Sequence, residues 1–266
     1  ADDVNALAAR LAETEARRMR LLGEVSHEMR TPLTVLDGCV EGLQDGVFSP
    51  GPELYAELSG GLRRLRRLSE DLGALSRAEE GRLGLRIAPL DLAAVAVRAA
   101  ERLRPQLDDA ALVLETEAVG DPLPVVGDAD RLAQVVTNLV GNALAATPQG
   151  GRVTVRCHVT GEHAVVEVAD TGMGLGEDEV DRIFERFYRV PRTAARPAHA
   201  GSGIGLTIAR GIVHAHGGTL VATSPGLGSG STFTIRLPIA PADRRFASGA
   251  ASAGALHAEH VARSGA

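Results

Sequence analysis

The stretch from residue 152 to residue 169, RVTVRCHVTGEHAVVEVA, decides the class of the larger folded unit. Apolar and polar residues alternate from Arg152 to Val159 and again from Ala164 to Ala169, which is typical of β-strands with one buried face. The turn residues Gly161-Glu-His separate the two strands. A third alternating segment covers residues 232–237, and helical patterns cover residues 91–104, 128–146 and 202–216. The sequence therefore predicts a mixed α/β unit with antiparallel strands.

Two amphipathic helices precede this unit. Apolar residues recur at helical spacing from Leu7 to Met29, and leucines recur in steps of three and four from Leu54 to Leu75. The segment DGVFSPGP at residues 45–52 separates them, so the two helices are predicted to form a hairpin. Because two helices alone cannot bury both apolar stripes, we expect a homodimer that forms a four-helix bundle.

The composition excludes several kinds of chemistry. All 28 basic residues of the 266-residue chain are arginine. Without lysine there is no Walker-type P-loop, no protein-kinase ATP lysine and no Schiff-base catalysis. The net charge of −6 and an aromatic content of 3% disfavour nucleic-acid binding. Cys39 and Cys157 are predicted to be buried thiols in a reducing compartment.

The first helix carries a histidine with neighbours that suit nucleophilic chemistry. In Val25-Ser-His-Glu-Met-Arg-Thr-Pro-Leu33, His27 lies about 200° around the helix from Val25 and so faces away from the apolar stripe. Glu28 is its neighbour, and Thr31 lies one turn further along the same face. A carboxylate that takes the proton of one ring nitrogen leaves the other nitrogen free to attack an electrophile. On His27 and Glu28 alone, a solvated surface histidine is the commoner case.

A row of amides follows the helical pattern at residues 128–146. Gln134, Asn138 and Asn142 are four residues apart, so they share one side of the helix. Amide oxygens are suitable ligands for Mg²⁺, although a structural hydrogen-bond ladder is the alternative.

Glycine clusters follow the amide row at residues 172–174, 201–205 and 226–230. Single clusters of this kind commonly serve turns. The second one opens a helix, where free amides and the helix dipole favour phosphate groups. Asp170 ends a strand, and its carboxylate could accept the exocyclic amine of adenine.

These motifs resemble those of the sensor histidine kinases of two-component systems. SHEMRTPLT resembles the H-box, LAQVVTNLVGNALAATP the N-box, and DTGMGL the first glycine box. RIFERFYRV resembles the F-box, GSGIGL the second glycine box, and GSGSTFTIRLP the last glycine-rich segment. The resemblance extends over roughly residues 16 to 238. It implies a dimerising helical hairpin followed by a GHKL-type ATP-binding α/β sandwich, with a mixed, mostly antiparallel sheet and helices on one face.

The resemblance also implies roles for individual residues. His27 would be the phosphoacceptor, Glu28 its general base, and Thr31 the residue that positions water in a phosphatase reaction. Implied ATP-site residues are Asn142 and Asn138 as Mg²⁺ ligands, Asp170 for adenine, Gly172 and Gly174 for the pocket, Gly201, Gly203 and Gly205 for the phosphates, Thr232 near the base, and Arg189 at the terminal phosphates. Ala145 stands where many members carry a basic residue, so we expect Arg189 to carry more of the phosphate contact. An ATPase of the chaperone or DNA-repair type would ordinarily have glutamate at the position of Asn138.

The implied organisation has four segments. They are a coiled-coil or HAMP-like linker helix at residues 1–15, a dimerisation and phosphotransfer domain at 16–82, an ATP-binding domain at 88–240, and a disordered tail at 241–266. The implied function is autophosphorylation with ATP and Mg²⁺, followed by transfer to an aspartate of a response regulator receiver domain. The alternative is a kinase-dead docking and phosphatase module. We expect a cytoplasmic portion of an inner-membrane protein, attached to the membrane only through a region that precedes this chain.

Overall fold

The structure is a computed structural model that describes residues 23, 25–79, 84–118, 122–190 and 203–240. The predicted linker helix at residues 1–15 and the predicted tail at 241–266 lie outside the described residues. Within the described part of the chain, no helix is long and apolar enough to cross a membrane.

Two long helices form the predicted hairpin. Helix α1 covers residues 25–44, with Pro32 inside it, and helix α2 covers Pro52–Glu79. The turn between them is closed by the backbone N–H of Phe48, which donates to the carbonyl of Gly42 at 2.8 Å. The helices approach closely at Gly61, where an added Cβ would lie 3.0 Å from a methyl carbon of Leu36.

The leucine stripe of α2 is divided between two environments. Leu62 is 60% exposed, whereas Leu68 is 3% exposed. Leu68 and Leu72 pack against the core of the α/β domain, and α2 contacts helix α7 of that domain, Gly205–Ala215. Dimerisation is therefore not needed to cover Leu68 and Leu72.

Besides α7, the elements of the α/β domain are β1 Ala88–Asp91, α3 Leu92–Glu101, α4 Arg104–Asp109, β2 Val113–Ala118, β3 Pro124–Gly127, α5 Ala129–Ala146, β4 Arg152–Thr160, β5 His163–Asp170, α6 Glu179–Arg182, β6 Thr219–Thr223 and β7 Ser231–Pro238. Five strands form one sheet in the order β2-β4-β5-β7-β6. Strand β2 pairs in parallel with β4, and the other neighbours pair antiparallel, while β1 and β3 form a separate antiparallel pair. The predicted fold class is confirmed.

The core lies between this sheet and helices α3, α5 and α7. In β4, Val153, Val155 and Cys157 face the core, and the alternate side chains face the other side of the sheet. On that other side, Arg156 bonds to Glu117 at 2.9 Å, across the β2–β4 pair. The polar residues that alternate with the apolar ones in β4 therefore lie on the sheet face opposite helices α3, α5 and α7.

The N-terminus of α5 is fixed by Asp128. Its carboxylate accepts the backbone N–H groups of Arg86 at 2.9 Å, Asp130 at 3.0 Å and Arg131 at 3.1 Å. Burial raises the pKa of the Asp128 carboxyl, but these three donors outweigh it and hold the pKa below its usual value. The backbone N–H of Asp128 donates to Nε2 of His216 at 2.9 Å, which ties α5 to the end of α7. These bonds fix the N-terminus of α5, and with it the position of the amide row on that helix.

Candidate functional site

The amide row of α5 splits into residues with different partners. Asn138 and Asn142 are both half-buried, one turn apart. The Nδ2 group of Asn138 donates to the carbonyl oxygen of Gly205 at 3.0 Å, so this side chain joins α5 to the first turn of α7. The oxygen of Gln134 accepts from the guanidinium of Arg131 at 3.1 Å. Asn138 and Asn142 therefore remain the two candidates for ligand binding in this row.

Asp170 is held in one orientation at the end of β5. It is 8% exposed. Its Oδ1 accepts the N–H of Gly172 at 2.8 Å, and its Oδ2 accepts the hydroxyl of Ser231 at 2.5 Å. Because both oxygens have fixed partners, the carboxylate is already oriented before any ligand binds.

The hydroxyl beside Asp170 belongs to Ser231, which is not among the predicted site residues. Ser231 lies opposite Asp170 in the β5–β7 ladder, whereas Thr232 lies opposite Ala169. Side chains alternate between the faces of a sheet, so Thr232 points to the face opposite Asp170. The structure therefore does not bring Thr232 to Asp170. The pairing register of the two strands would have identified Ser231, but the motif alone does not contain that register.

The first and last glycine clusters form one bonded unit. The N–H groups of Gly230 and Gly228 donate to the carbonyls of Gly172 at 3.0 Å and Met173 at 2.8 Å. Gly230 has φ +74°, and an added Cβ would overlap the carbonyl oxygen of Asp170. Glycine is required there both by the backbone angle and by the close approach. Gly172 and Gly174 thus lie in the loop that shapes the surroundings of Asp170.

The second glycine cluster is joined to the predicted F-box. Gly201 lies outside the described residues, and Gly205 is the first residue of α7. The N–H of Phe187 donates to the carbonyl of Gly203 at 3.0 Å. Gly203 has φ +74°, and an added Cβ would lie 2.8 Å from Cα of Phe187, so no larger residue fits.

Phe187 itself has φ +58°. This conformation is uncommon for an aromatic residue and is typical of functional sites, where the surrounding contacts maintain it. The neighbouring Phe184 is buried and packs edge-to-face on Phe233, with ring centroids 6.4 Å apart. Arg189 is exposed just after this segment and precedes residues 191–202, which are not described. Among the described residues, no hydrogen bond or ion pair joins Arg189 to another predicted site residue.

The predicted phosphoacceptor faces the F-box across an open cleft. His27 and Thr31 are exposed on α1, and the Glu28 side chain is 19% exposed. The cleft has a volume of about 460 Å³ and is lined by Gly23, His27, Glu28, Glu185, Arg186, Phe187 and Tyr188. Phe187 therefore contributes to this cleft and also bonds to the second glycine cluster.

Comparison with known proteins agrees with this arrangement. Residues 17–81 match the family described as "His Kinase A (phospho-acceptor) domain", and residues 127–241 match "Histidine kinase-, DNA gyrase B-, and HSP90-like ATPase". The solved structure of the Acinetobacter baumannii histidine kinase AdeS is 30% identical, with a TM-score of 0.67 over 81% of this chain and 98% of that one. The chain belongs to the sensor histidine kinases of two-component systems.

Curated relatives of this histidine kinase extend beyond the aligned region. It is 36% identical over 239 residues to the signal transduction histidine-protein kinase BaeS of Escherichia coli, covering 90% of this chain and 50% of BaeS. It is 39% identical over 225 residues to the histidine-protein kinase/phosphatase MprB of Mycolicibacterium smegmatis, covering 81% of this chain and 44% of MprB. The chain therefore spans about half the length of the curated relatives it matches. The predicted family is confirmed.

The amides of this histidine kinase fit a magnesium ion that is shared with a nucleotide. Among the described residues, no group of three His, Cys, Asp or Glu side chains could hold a metal. The bond from Nδ2 of Asn138 to Gly205 leaves its Oδ1 as the acceptor, and Asn142 lies one turn further along α5. Mg²⁺ prefers six oxygen ligands and commonly takes most of them from phosphates and water. Two amide oxygens are therefore a suitable protein contribution.

Proposed function

We propose that this chain acts as a dimeric protein-histidine kinase that phosphorylates His27 and passes the phosphoryl group to an aspartate of a response regulator receiver domain. The observation that carries the proposal is the cleft in which His27 and Glu28 face residues 185–188. Through Phe187 that segment bonds to the glycine cluster at the start of α7. The phosphoacceptor and the candidate phosphate site thus lie on either side of one short segment.

ATP binding follows from the chemistry of the α/β domain. The oriented carboxylate of Asp170 would accept the exocyclic amine of adenine, with Gly172 and Gly174 forming the loop beside it. Gly203 and Gly205 place free backbone amides at the N-terminus of α7, where the helix dipole favours phosphate groups. Arg189 would add the positive charge that Ala145 does not supply.

Asn138 and Asn142 would hold Mg²⁺ against the phosphates. When bound, the ion neutralises charge on the β- and γ-phosphates. The role of this chain is to place the two amide oxygens, one of which is oriented through Gly205.

The phosphoryl step requires a nucleophile and a proton acceptor on α1. One ring nitrogen of His27 attacks the γ-phosphorus, a P–N bond forms, and the bond to the oxygen bridging the β- and γ-phosphorus atoms breaks, so that ADP leaves. Glu28 accepts the proton from the other ring nitrogen. The carboxylate of the receiver aspartate then attacks the phosphorus, and the histidine leaves.

A second copy of the chain would cover the exposed apolar side chains of the hairpin. Met29, Leu33 and Val40 on α1 are 39%, 42% and 46% exposed, and Leu62 on α2 is 60% exposed. They recur at helical spacing, so they form a stripe rather than isolated positions. A symmetric four-helix bundle buries the same stripe on both copies.

Phosphatase activity is proposed for the same helix. Thr31 is exposed one turn after His27, where its hydroxyl could position water for attack on a phosphorylated receiver domain. The similarity to MprB, which is named as a kinase and phosphatase, supports this activity.

Incubation of the whole chain with γ-labelled ATP and Mg²⁺ tests the kinase proposal. We expect acid-labile label that is lost in His27→Gln and retained in the control His163→Gln, because His163 is an exposed residue at the start of β5. Addition of a phosphorylatable receiver domain should move the label to that domain. A chain that takes no label but still dephosphorylates a receiver domain would instead be the kinase-dead docking and phosphatase module.

A further inference from the structure

We propose that Arg64 is a positioning residue for phosphoryl transfer, which holds one oxygen of Glu28 so that the other remains directed to His27. This inference rests on the proposed function, in which Glu28 accepts the proton of the imidazole. Arg64 belongs to none of the motifs that define the family resemblance.

The contact joins the two helices of the hairpin. Nη2 of Arg64 on α2 lies 3.4 Å from Oε2 of Glu28 on α1. The Arg64 side chain is 30% exposed and that of Glu28 is 19% exposed, so the ion pair is partly shielded from water. It lies beside the cleft that His27 and Glu28 share.

Arg63 and Arg66, two other arginines of α2 whose side chains are described, do not make this contact. Arg63 is exposed, and Arg66 bonds to Glu70 of its own helix at 3.2 Å, with both side chains more than 60% exposed. Arg64 lies three residues after Gly61, on the same face of α2, where the two helices approach closely through Leu36. The helical geometry therefore directs Arg64, rather than Arg63 or Arg66, towards α1.

The contact with Glu28 gives Arg64 a route to the reaction, through the orientation of that carboxylate. A glutamate side chain that is free to rotate places its oxygens near the histidine for only part of the time. A guanidinium bonded to Oε2 restricts those rotations and leaves Oε1 to accept the imidazole proton. Arg64 is not among the residues that line the candidate ATP site, so its loss should lower the rate of phosphoryl transfer rather than the affinity for ATP.

A double-mutant cycle in the full dimeric chain tests this role. The initial rate of acid-labile His27 labelling is measured over a range of ATP concentrations for the wild type, Arg64→Met, Arg64→Lys, Glu28→Gln and the double variant Arg64→Met with Glu28→Gln. Arg66→Met is the matched control, since it removes an arginine from the same helix without touching Glu28. Circular dichroism and the mass of the dimer establish that each variant is folded.

We expect Arg64→Met to lower kcat by about tenfold, with KM for ATP unchanged within about twofold. A tenfold decrease is about the effect expected when one side chain is no longer held in a single orientation. Arg64→Lys should retain an intermediate rate because it keeps the charge, and Arg66→Met should behave as the wild type. In the Glu28→Gln background, Arg64→Met should cause no further loss, because its effect passes through Glu28.

Two results overturn the positioning role while leaving the kinase proposal intact. One is a wild-type rate in Arg64→Met, and the other is a loss that multiplies in the double variant. If Arg64→Met does not fold, the same measurements are made on Arg64→Gln, which also removes the charge, and a wild-type rate in that variant has the same meaning. Absence of His27 label in the wild type overturns both proposals.

Discussion

Single replacements of Asn138 and Asn142 should show that Asn138 has a structural role in addition to its role as a ligand, whereas Asn142 acts only as a ligand. Without nucleotide, Asn138→Ala removes the bond from Nδ2 to the carbonyl of Gly205, whereas Asn142→Ala removes no hydrogen bond to another described residue. A hydrogen bond of this kind contributes about 0.5–1.5 kcal/mol. The carbonyl of Gly205 also accepts within α7, so it is not left without a partner, and the cost should be about 1 kcal/mol.

That cost corresponds to a melting temperature about 2–4 °C lower for a folded unit of this size. Asn138→Asp should melt lower still, because a carboxylate cannot donate and would face the carbonyl oxygen of Gly205. The chain has no tryptophan, so melting is best followed by circular dichroism, and calorimetry measures binding of a non-hydrolysable ATP analogue with Mg²⁺. We expect weaker binding in both Asn138→Ala and Asn142→Ala, but a lower melting temperature only in the first. Equal melting temperatures for Asn138→Ala and the wild type, or an equal decrease in Asn142→Ala, would refute the assignment.

Three further predictions concern the scaffold. The lowered pKa of Asp128 means that its ionised form stabilises the fold above about pH 4, the value for an unfolded chain, and that this stabilisation is lost as pH falls through the folded value. Urea denaturation should therefore show an advantage over Asp128→Asn at neutral pH that shrinks in acid; an advantage independent of pH would contradict this. Gly230→Ala should lower both stability and ATP-analogue binding, because its Cβ overlaps a carbonyl, whereas Gly161→Ala, with φ +59° and open space around the Cβ, should cost only about 1–2 kcal/mol and leave binding unchanged. Burial raises the pKa of Cys157 to about 11, so in a Cys39→Ser background a thiol reagent at pH 8 should label the protein only after denaturation, and rapid labelling of the native chain would contradict this.

The parts of the fold that the sequence predicts are those with strong local periodicity. The hairpin of β4 and β5, the strand β7 and the helices α5 and α7 all follow from alternation or helical spacing. Strands β1 and β3 do not, because they have four residues each, which is too short for a periodic pattern. Strand β2 pairs in parallel with β4, and a parallel partner is joined by no short turn that the sequence could reveal.

The candidate site was predictable where a motif names a residue, and not where the residue depends on register or on a distant contact. His27, Asn138 and Asp170 follow from motifs. Ser231 instead of Thr232 depends on how β7 pairs with β5, and a shift of one residue exchanges the two faces. Arg64 is 36 residues from Glu28 in the sequence. The two side chains meet because the packing of α2 against α1 places them side by side, which the sequence pattern does not reveal.

The two helices of the hairpin join the proposed phosphoacceptor to the candidate nucleotide site. On α2, Arg64 contacts Glu28, and one turn later Leu68 is buried against the α/β core beside α7. Helix α7 begins at Gly205, whose carbonyl is bonded to Asn138. Packed helices move as rigid bodies, because their interdigitated side chains resist deformation. A shift of α2 relative to α7 would therefore change the Leu68 contact and the placement of Glu28 together. The distance between His27 and phosphates bound at the candidate site would then depend on the packing of Leu68.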